Sequence, residues 1–496
     1  MSDTDHLETE SGRSHGESPP SRADSDSPSS EDAAAGTSAN AKANANANAS
    51  VRSRQPPGPG GLPILGNALQ LIRNPTGFET ILRPHGDVVN YSFFGREFTA
   101  LLHPDHVERV LVSESDRFEQ YAFEELRGEF APNGLLQATG QQWRRQRSLI
   151  QPAFSPAKVA AFADEIVTQT AATVDQWEPG EIVVANRTFS DLTLEILTTT
   201  LFDLEVAHRR ETIRDATESI NDLADPTTLS TYLPEWVPTP TNRRYRRHMN
   251  DFDSLVEELI AARRGSEDTG DDLLSTLLEA AENEQDPSLS PSELRDQLVT
   301  FLFAGHETTS LALTYACFLL GTHQEGWDRL AAEVDAVCDG RPTMADIPDL
   351  SYTSNVIDET LRLYPPAFIL LRSAREPVTF DGYRLPKGTV VTMPQFSLHR
   401  DPRFWDEPDA FRPTRFEDGQ GADRPEYAYF PFGGGPRHCV GMRFARMELT
   451  LTLATIASRV RLESVTTDLE FQMGATLKPV DPVRLRVHER ERQTTS

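Results

Sequence analysis

The chain has 496 residues, a formal net charge of −28 and three cysteines. Residues 1–50 hold nine acidic and three basic residues, so a net charge of −22 belongs to the rest of the chain. Such an acidic body argues against a nucleic-acid-binding protein, because phosphate groups are bound by clusters of Lys and Arg.

Lysine is nearly absent from the chain and occurs only at Lys42, Lys158, Lys387 and Lys478. An acid-rich, lysine-poor sequence is typical of proteins that stay soluble in concentrated salt, where screening weakens self-repulsion. This composition predicts a halophilic, archaeal source. An acidic mesophilic protein from a GC-rich genome is the alternative.

The cysteines and the apolar stretches predict a cytoplasmic protein. Cys317, Cys338 and Cys439 are too few for a disulfide framework in a chain of this length. The N-terminus lacks the apolar region of a signal peptide. The longest apolar stretch, 298–320, contains His306 and Glu307, so no transmembrane segment is expected.

Residues 1–54 are predicted to be a disordered, acidic tail, since a composition of Ser, Ala, Asn, Asp and Glu buries too little apolar surface to fold. A folded domain is expected over 55–488, and residues 489–496 should form a frayed C-terminus. Strand-like segments within the domain are short: 88–94, 98–102, 378–380, 390–393 and 483–487.

Helical signals dominate the domain. The tetrapeptide 290–293 (SPSE) has the spacing of a capping box with Pro at the first helical position, and it predicts a long apolar helix ending near Gly321. Further helices are expected over 323–338, 353–364 and 440–457. Long helices with few short strands indicate a mainly α fold with minor β.

The segment 432–441 (FGGGPRHCVG) is a glycine-rich loop that leads into the last predicted helix. Loop N–H groups and the positive N-terminus of that helix suit an anionic sulfur at Cys439. Glycines allow the backbone to approach a flat cofactor closely, and Arg437 can pair with a carboxylate. For a cysteine considered alone, a simple turn with a buried thiol is the alternative.

The spacing of Phe432, Gly435, Arg437, Cys439 and Gly441 resembles the haem-binding signature of the cytochrome P-450 superfamily, residue by residue. The resemblance implies one large haem domain with haem b as the cofactor and Cys439 as the axial ligand to its iron. A thiolate ligand pushes electron density that favours O–O cleavage. The other four residues are then expected around the cofactor.

A second family motif is the tetrapeptide 359–362 (ETLR) on a predicted helix, where Glu359 and Arg362 share one face. The resemblance implies that Arg415, in the later segment 413–416 (PTRF), joins this pair and braces the haem-binding core. The family more often has Glu where this chain has Thr414.

Polar groups interrupt the long apolar helix at the motif 304–309 (AGHETT). Buried polar groups cost free energy unless they are paired, so Glu307 and Thr308 need a reason. The resemblance places the motif above the haem on a helix locally opened at Gly305, and it implies that Glu307 and Thr308 relay protons for dioxygen reduction. The alternative is a threonine bonded to its own helix and a glutamate that reaches solvent. His306 is expected at the helix surface or the pocket wall.

The resemblance assigns three more residues to the haem propionates. Trp143 and Arg147 lie at i, i+4 in the segment 141–147 (QQWRRQR), on a helix expected beside the haem. Arg372 follows Pro366 at another propionate position of the family. Without the resemblance, these residues would indicate only an amphipathic helix and a surface arginine.

A small apolar substrate is expected in a pocket lined by 118–136, by the long helix near Phe303, by 367–371 and by 474–476. The aromatic side chains expected to make this pocket apolar are Phe118, Phe123, Phe130 and Phe368.

The implied activity is that of a monooxygenase, which inserts one oxygen atom from O2 into an apolar organic substrate. No flavin or iron–sulfur domain is recognised in the chain, so an external donor, expected to be a ferredoxin with its reductase, must supply electrons. A peroxide-driven oxygenase or isomerase and a non-turnover haem sensor are the alternatives. The donor is expected to dock on Arg144, Arg145, Arg443 and Arg446, unless these arginines pair with neighbouring acids.

Overall fold

The computed structural model describes residues 55–490 with the exception of 122–129, 205, 234–235, 266–269, 271, 284–287, 418–420 and 422. The predicted tail 1–54 and the predicted pocket residue Phe123 lie outside the described residues. From Gln55 onward the chain forms one compact unit, in agreement with the single domain that the resemblance implies.

The described helices and strands alternate irregularly along the chain. The helices are α1 (Ala68–Arg73), α2 (Phe78–Leu82), α3 (Pro104–Glu108), α4 (Gly140–Ile150), α5 (Pro156–Ala161), α6 (Ala163–Val174), α7 (Ala185–Phe202), α8 (Arg210–Ala224), α9 (Pro240–Arg264), α10 (Leu273–Glu282), α11 (Pro291–Thr322), α12 (Gln324–Val337), α13 (Ser351–Leu363), α14 (Gln395–Leu398) and α15 (Met442–Arg459). The strands are β1 (Val88–Phe93), β2 (Arg96–Leu101), β3 (Phe118–Gln120), β4 (Ile182–Val184), β5 (Ile369–Ala374), β6 (Val378–Phe380), β7 (Tyr383–Leu385), β8 (Val390–Pro394), β9 (Val460–Ser464), β10 (Phe471–Met473), β11 (Leu477–Pro479) and β12 (Arg484–Glu489).

The strands form small sheets at the sides of the helices. The largest has the order β1-β2-β8-β5-β3; its β2–β8 pair is parallel, and its other pairs are antiparallel. β4, β12 and β9 form a second sheet, and β6–β7 and β10–β11 are antiparallel pairs. The fold is mainly α with minor β, which confirms the predicted class.

The long helix α11 begins where the sequence predicts it. The Ser290 hydroxyl accepts from Glu293 N at 3.2 Å, and the Glu293 carboxylate accepts from Ser290 N at 2.8 Å, so the capping box forms in both directions. Nearly all of α11 is buried, and α7 packs along it. A Cβ on Gly305 would lie 2.8 Å from Leu197 Cδ1 of α7, so glycine allows this close approach.

The predicted boundaries hold for most elements and shift at the C-terminus. α12, α13 and α15 and the five predicted strands appear near their expected positions, whereas α7, α8 and α9 were not predicted individually. Fraying was expected from residue 489, but Glu489 pairs with Val460 and Arg490 donates to Ser458 O at 3.0 Å. Across the described ranges, no helix is long and apolar enough to cross a bilayer.

Candidate functional site

The glycine-rich loop presents Cys439 to a cavity of about 330 Å³. Cys439 N donates to Phe432 O at 2.9 Å and so closes the loop. Gly435 has φ +62°, and a Cβ there would lie 1.8 Å from the carbonyl oxygen of Leu111. The backbone of a neighbouring segment therefore requires glycine at this position.

The Cys439 sulfur is accessible because it faces the cavity, although protein surrounds it on all other sides. Burial raises the pKa of the Cys439 thiol, while the Gly441 backbone and the charge of Arg147 act in the opposite direction. The loop therefore favours the thiolate, as expected, but does not outweigh burial. A coordinated metal ion would deprotonate the thiol outright, so a thiolate here would depend on the loop and on a bound metal together.

Three arginines, Arg147, Arg372 and Arg437, line the same cavity. Burial lowers the pKa of Arg372 to about 10, with a further contribution from the charge of Arg437, and burial lowers the pKa of Arg437 to about 10. No carboxylate in the part of the chain that the structure describes contributes to the pKa of any of the three. Buried cations without acidic partners are costly, so this end of the cavity suits an anionic ligand.

Trp143 and Arg437 support each other beside the cavity. The Arg437 guanidinium lies over the Trp143 ring at 4.5 Å, and Arg437 Nη2 donates to Ala138 O at 2.7 Å. Arg372 Nη1 donates to Leu371 O at 2.8 Å. The structure thus brings together the predicted propionate partners, which come from distant segments of the chain.

Arg147 has a partner that the sequence did not indicate. Its Nη1 donates to His438 O at 3.0 Å, and its Nη2 lies 3.2 Å from His438 Nε2. His438 Nδ1 lies 2.9 Å from Gly435 O, so both ring nitrogens of His438 are engaged inside the loop. Arg147 therefore supports the cysteine loop directly, and His438 is not free to act as a metal ligand.

A buried ion cluster lies behind the loop. Glu359 is fully buried and accepts from Arg362 Nε at 2.7 Å, from Arg362 Nη2 at 2.9 Å and from Arg415 Nε at 3.2 Å. Arg362 Nη1 also donates to His399 O at 2.9 Å and to Pro408 O at 2.6 Å. The three predicted brace residues thus tie α13 to the segment that precedes the cysteine loop.

The polar motif of α11 divides between two sides of the helix. Thr308 lines the cavity, and its hydroxyl donates to Ala304 O at 2.9 Å. Glu307 does not line the cavity; it is 5 % exposed and accepts from Asn221 Nδ2 at 3.3 Å. The bond of Thr308 to its own helix thus matches the predicted alternative, whereas Glu307 does not reach solvent.

Two expectations for this motif are wrong. α11 is continuous from Pro291 to Thr322, without the local opening expected at Gly305; this glycine instead accommodates Leu197. His306 is neither at the surface nor in the cavity wall: it is 1 % exposed, and burial lowers its pKa. Its position follows from the packing of α7 against α11, which the sequence did not predict.

Of the predicted phenylalanines, the three that the structure describes pack away from the cavity. Phe130 contacts Phe303 with ring centroids 5.0 Å apart, and Phe118 and Phe368 belong to separate apolar clusters. The residues 474–476 pack on Asn221 instead of lining the cavity. The apolar side chains that line it are Leu135, Leu136, Trp143, Phe301, Ala304, Ala312, Leu361, Pro366, Ala367, Leu370, Pro431, Phe432, Val440, Ala445 and Leu449. Most of these lie in segments that were expected at the pocket or in the cysteine loop. Ala312, Leu361, Ala445 and Leu449 come from helix faces that look like ordinary core, and sequence reasoning did not indicate them.

The residues around the cavity fit a haem. One thiol faces into it, arginines without acidic partners lie where carboxylates could bind, and the remaining wall is mostly apolar. This donor set matches a flat apolar ring system that carries carboxylates and a metal with one soft ligand. Cys439 would hold the iron, and Arg147, Arg372, Arg437 and Trp143 would hold the propionates.

Comparisons with known proteins agree with this arrangement. The model of the family "Cytochrome P450" matches residues 56–485. The chain is 36 % identical over 412 residues to cyclooctat-9-en-7-ol 5-monooxygenase of Streptomyces melanosporofaciens, covering 82 % of this chain and 89 % of that one. It is 32 % identical over 433 residues to pentalenene oxygenase of Streptomyces avermitilis, covering 86 % and 96 %. The retinoic acid-bound cyanobacterial CYP120A1 superposes with a TM-score of 0.78 and 25 % identity, covering 88 % of this chain and 100 % of that one.

Proposed function

The chain belongs to the cytochrome P450 family, and from this premise we propose that its substrate is a cyclic hydrocarbon or an alcohol derived from one. It is a haem-thiolate monooxygenase: haem b bound through a cysteine thiolate activates O2, one oxygen atom enters an organic substrate, and an external redox partner supplies the electrons. The observation that carries the assignment of Cys439 as the ligand is its position at the cavity that Thr308 of α11 also lines.

The cavity wall supports an apolar substrate, and the names of two similar proteins support a cyclic one. Its charged groups are the arginines assigned to the propionates, so no cation in the described wall is left for a substrate carboxylate. Thr300 and Thr308 add hydroxyls that can meet a single alcohol group. Two similar proteins carry the names of a cyclic alkenol and of pentalenene.

Ligand titrations of the oxidised protein test this substrate class. We expect cyclooctat-9-en-7-ol and pentalenene to give a saturable low-spin to high-spin shift of the haem spectrum, because an apolar ligand expels water from an apolar wall. A long-chain fatty acid is the comparison ligand and should bind more weakly, because its carboxylate finds no free cation. Tighter binding of the fatty acid would overturn the proposal.

Proton delivery is assigned to Thr308 and Glu307. A hydroxyl has one donor and two acceptor lone pairs, and the Thr308 proton is directed to Ala304 O. The Thr308 oxygen therefore offers its lone pairs to a water or a protonated group in the cavity. Glu307, one residue earlier, is the acid that can supply the proton after its side chain turns.

Thr308→Ala is expected to keep the haem but to uncouple turnover. NAD(P)H oxidation should continue with roughly ten-fold less product and more hydrogen peroxide, part of the ~10²- to 10⁴-fold typical of a positioned proton donor. Product and peroxide per NAD(P)H measure this effect. Thr309→Ala is the control, because Thr309 also lines the cavity and bonds its own helix, at Gly305 O. Equal coupling in the two variants would remove Thr308 from the relay.

An acidic ferredoxin is the proposed electron donor. The bond from Arg147 to His438 places α4 beside the cysteine loop, and α15 begins just after that loop. On these helices, Arg145 is paired with Glu293, and Arg446 with Asp358 at 2.6 Å. Arg144 and Arg443 remain exposed. The docking surface is therefore reduced from the four arginines predicted to these two.

Adaptation to high salt and a cytoplasmic location complete the proposal. The net charge of −22 outside residues 1–50 favours a medium in which self-repulsion is screened. Lys478 pairs with Glu218, and most of the other ion pairs of the described residues are made by arginine. Cys317 and Cys338 are buried, free thiols, as expected in a reducing compartment.

A salt series tests the docking surface and the salt adaptation together. Arg144→Glu combined with Arg443→Glu should slow ferredoxin-driven reduction several-fold at about 0.1 M salt and less at about 1 M, where the Debye length is roughly 3 Å. Arg243→Glu with Arg247→Glu, exposed on α9, makes the same charge change elsewhere and should leave the rate unaltered. The unfolding midpoint of the unmodified protein should rise along the series. Equal slowing of reduction in both double variants would show that the effect is not specific to Arg144 and Arg443, and docking would lie elsewhere. An unfolding midpoint that does not change with salt concentration would favour the alternative, an acidic mesophilic protein.

A further inference from the structure

Asn221 joins three separate parts of the fold through one buried amide. It lies on α8 and is 1 % exposed. Its Nδ2 donates to Glu307 Oε1 of α11 at 3.3 Å, and its Oδ1 accepts from Thr476 N at 2.9 Å and from Thr476 Oγ1 at 3.0 Å. Thr476 lies in the turn between β10 and β11, so the amide connects α8, α11 and that turn.

The orientation of this amide is fixed by its partners. A backbone N–H can only donate, so the Thr476 N–H must face the Asn221 oxygen, and the nitrogen must then face Glu307. The same nitrogen donates to Thr217 O at 3.2 Å. Both donors and both lone pairs of the amide are therefore used. The turn is pressed against Asn221, since a Cβ on Gly474 would lie 2.5 Å from Asn221 O.

The Glu307 carboxyl depends on this amide. Within the described part of the chain, Glu307 has no ion pair, and Asn221 is the side chain that donates to it. The titratable groups that face it are His306 and Tyr315 of the same helix; burial lowers the pKa of His306 and raises that of Tyr315, so both are neutral at pH 7. A distance of 3.3 Å between the Asn221 nitrogen and the Glu307 oxygen is long for a hydrogen bond, so the carboxyl is oriented but can be released.

We propose that Asn221 is a positioning residue for Glu307. Its amide holds the carboxyl turned towards α8, away from the cavity, and makes that orientation depend on how α8 is seated against the β10–β11 turn. When α8 shifts, the Asn221 amide can keep its hydrogen bonds to Thr476 or its hydrogen bond to Glu307, but not both. Once the bond to Glu307 is lost, the carboxyl is free to turn towards Thr308. This inference rests on the proposed role of Glu307 in proton delivery.

Asn221→Asp separates the two functions of the amide. The aspartate still accepts from Thr476 but no longer donates to Glu307, and it sets a second carboxylate beside the first. Two carboxylates in contact resist simultaneous ionisation. We therefore expect the alkaline limb of the pH profile for product formed per NAD(P)H, where the proton donor loses its proton, to move to higher pH by about one unit, with the haem spectrum retained. Thr476→Val is the matched control: it removes one bond to Asn221 Oδ1 and leaves Glu307 untouched, so the profile should stay in place.

Two further measurements keep the proposal falsifiable. In a Glu307→Gln background, Asn221→Asp should no longer move the profile, because the residue acts through Glu307. Hydrogen exchange should show α8 and the β10–β11 turn protected in Asn221→Asp as in the unmodified protein, and more open in Asn221→Ala. A shift that persists without Glu307, or an equal shift in Thr476→Val, would overturn the inference. If Glu307→Gln alone leaves coupling unchanged, the proton relay itself is wrong.

Discussion

Replacing Cys439 by alanine is expected to abolish the red-shifted Soret band of the reduced, CO-bound protein. That band reports thiolate ligation, and in the described structure Cys439 is the cysteine that faces the cavity. The variant should retain little haem, since a thiolate–iron bond is replaced by an apolar methyl group. Absorbance of the CO complex and the haem-to-protein ratio measure the two effects, and product formation should be undetectable.

The neighbouring histidine cannot rescue the variant in this geometry. His438 adjoins Cys439 in sequence, but its Nδ1 and Nε2 lie at hydrogen-bond distance from Gly435 O and Arg147 Nη2. Binding iron through either nitrogen would break a contact that holds the loop. We therefore expect no new histidine-ligated spectrum in Cys439→Ala.

Cys338→Ala is the matched control for this experiment. The Cys338 thiol is buried, and burial raises its pKa to about 11, so it is inert at neutral pH. This variant should show the same red-shifted band as the unmodified protein. If the band survived in Cys439→Ala and disappeared in Cys338→Ala, the ligand would be Cys338 and the assignment of Cys439 would be wrong.

Local signals in the sequence were sufficient to place the elements that carry the site. The capping box at 290–293 predicted the start of α11 because its two hydrogen bonds are made within four residues. The motif at 432–441 identified the cysteine loop because the loop and the helix that follows it are contiguous in the chain. The resemblance then supplied the cofactor, which no local pattern could.

Contacts between distant residues could not be predicted in the same way. The bond from Arg147 to His438 joins residues 291 positions apart, and Gly435 is required by the backbone at Leu111, which carries no pattern of its own. Glu307 was expected to serve the cavity, yet its carboxyl points to Asn221. In each case the partner of the residue depended on packing that the sequence does not express.

The pocket shows the same limit on a larger scale. A family motif places a segment near the substrate but does not fix the direction of its side chains. Phe130 was expected in the wall and instead packs edge-on against Phe303. Leu370 and Arg372 lie two residues apart on β5, so their side chains share one face of the strand, and both line the cavity. This two-residue period becomes informative only after the strand is known.

The second large effect is expected at the buried ion cluster. Glu359→Gln removes the charge that compensates Arg362 and Arg415, all three of which are buried. Breaking a buried pair by removing one partner costs about 3–5 kcal/mol, because the remaining charge is left uncompensated. A domain has roughly 5–15 kcal/mol of stability in total, so this loss should leave much of the variant unfolded or without haem.

Glu407→Gln is the control that isolates burial from charge. Glu407 pairs with Arg412 in the segment that Arg415 also contacts, but both side chains of this pair are exposed. Exposed pairs contribute little to stability, so the same substitution should leave the unfolding midpoint and the haem content nearly unchanged. The comparison holds the chemistry of the replacement constant and changes only the environment of the carboxylate.

The property that is lost in Glu359→Gln, stability and haem content or coupling, distinguishes a structural role for Glu359 from a catalytic one. The carboxylate reaches Arg362, Arg415 and the Arg412 N–H, and it does not line the cavity. Glu359→Gln molecules that still bind haem should therefore show normal product formed per NAD(P)H, with the deficit confined to haem content and the unfolding midpoint. A stable, haem-replete variant with poor coupling would contradict this assignment, because it would place Glu359 in the proton path and not in the support of the cysteine loop.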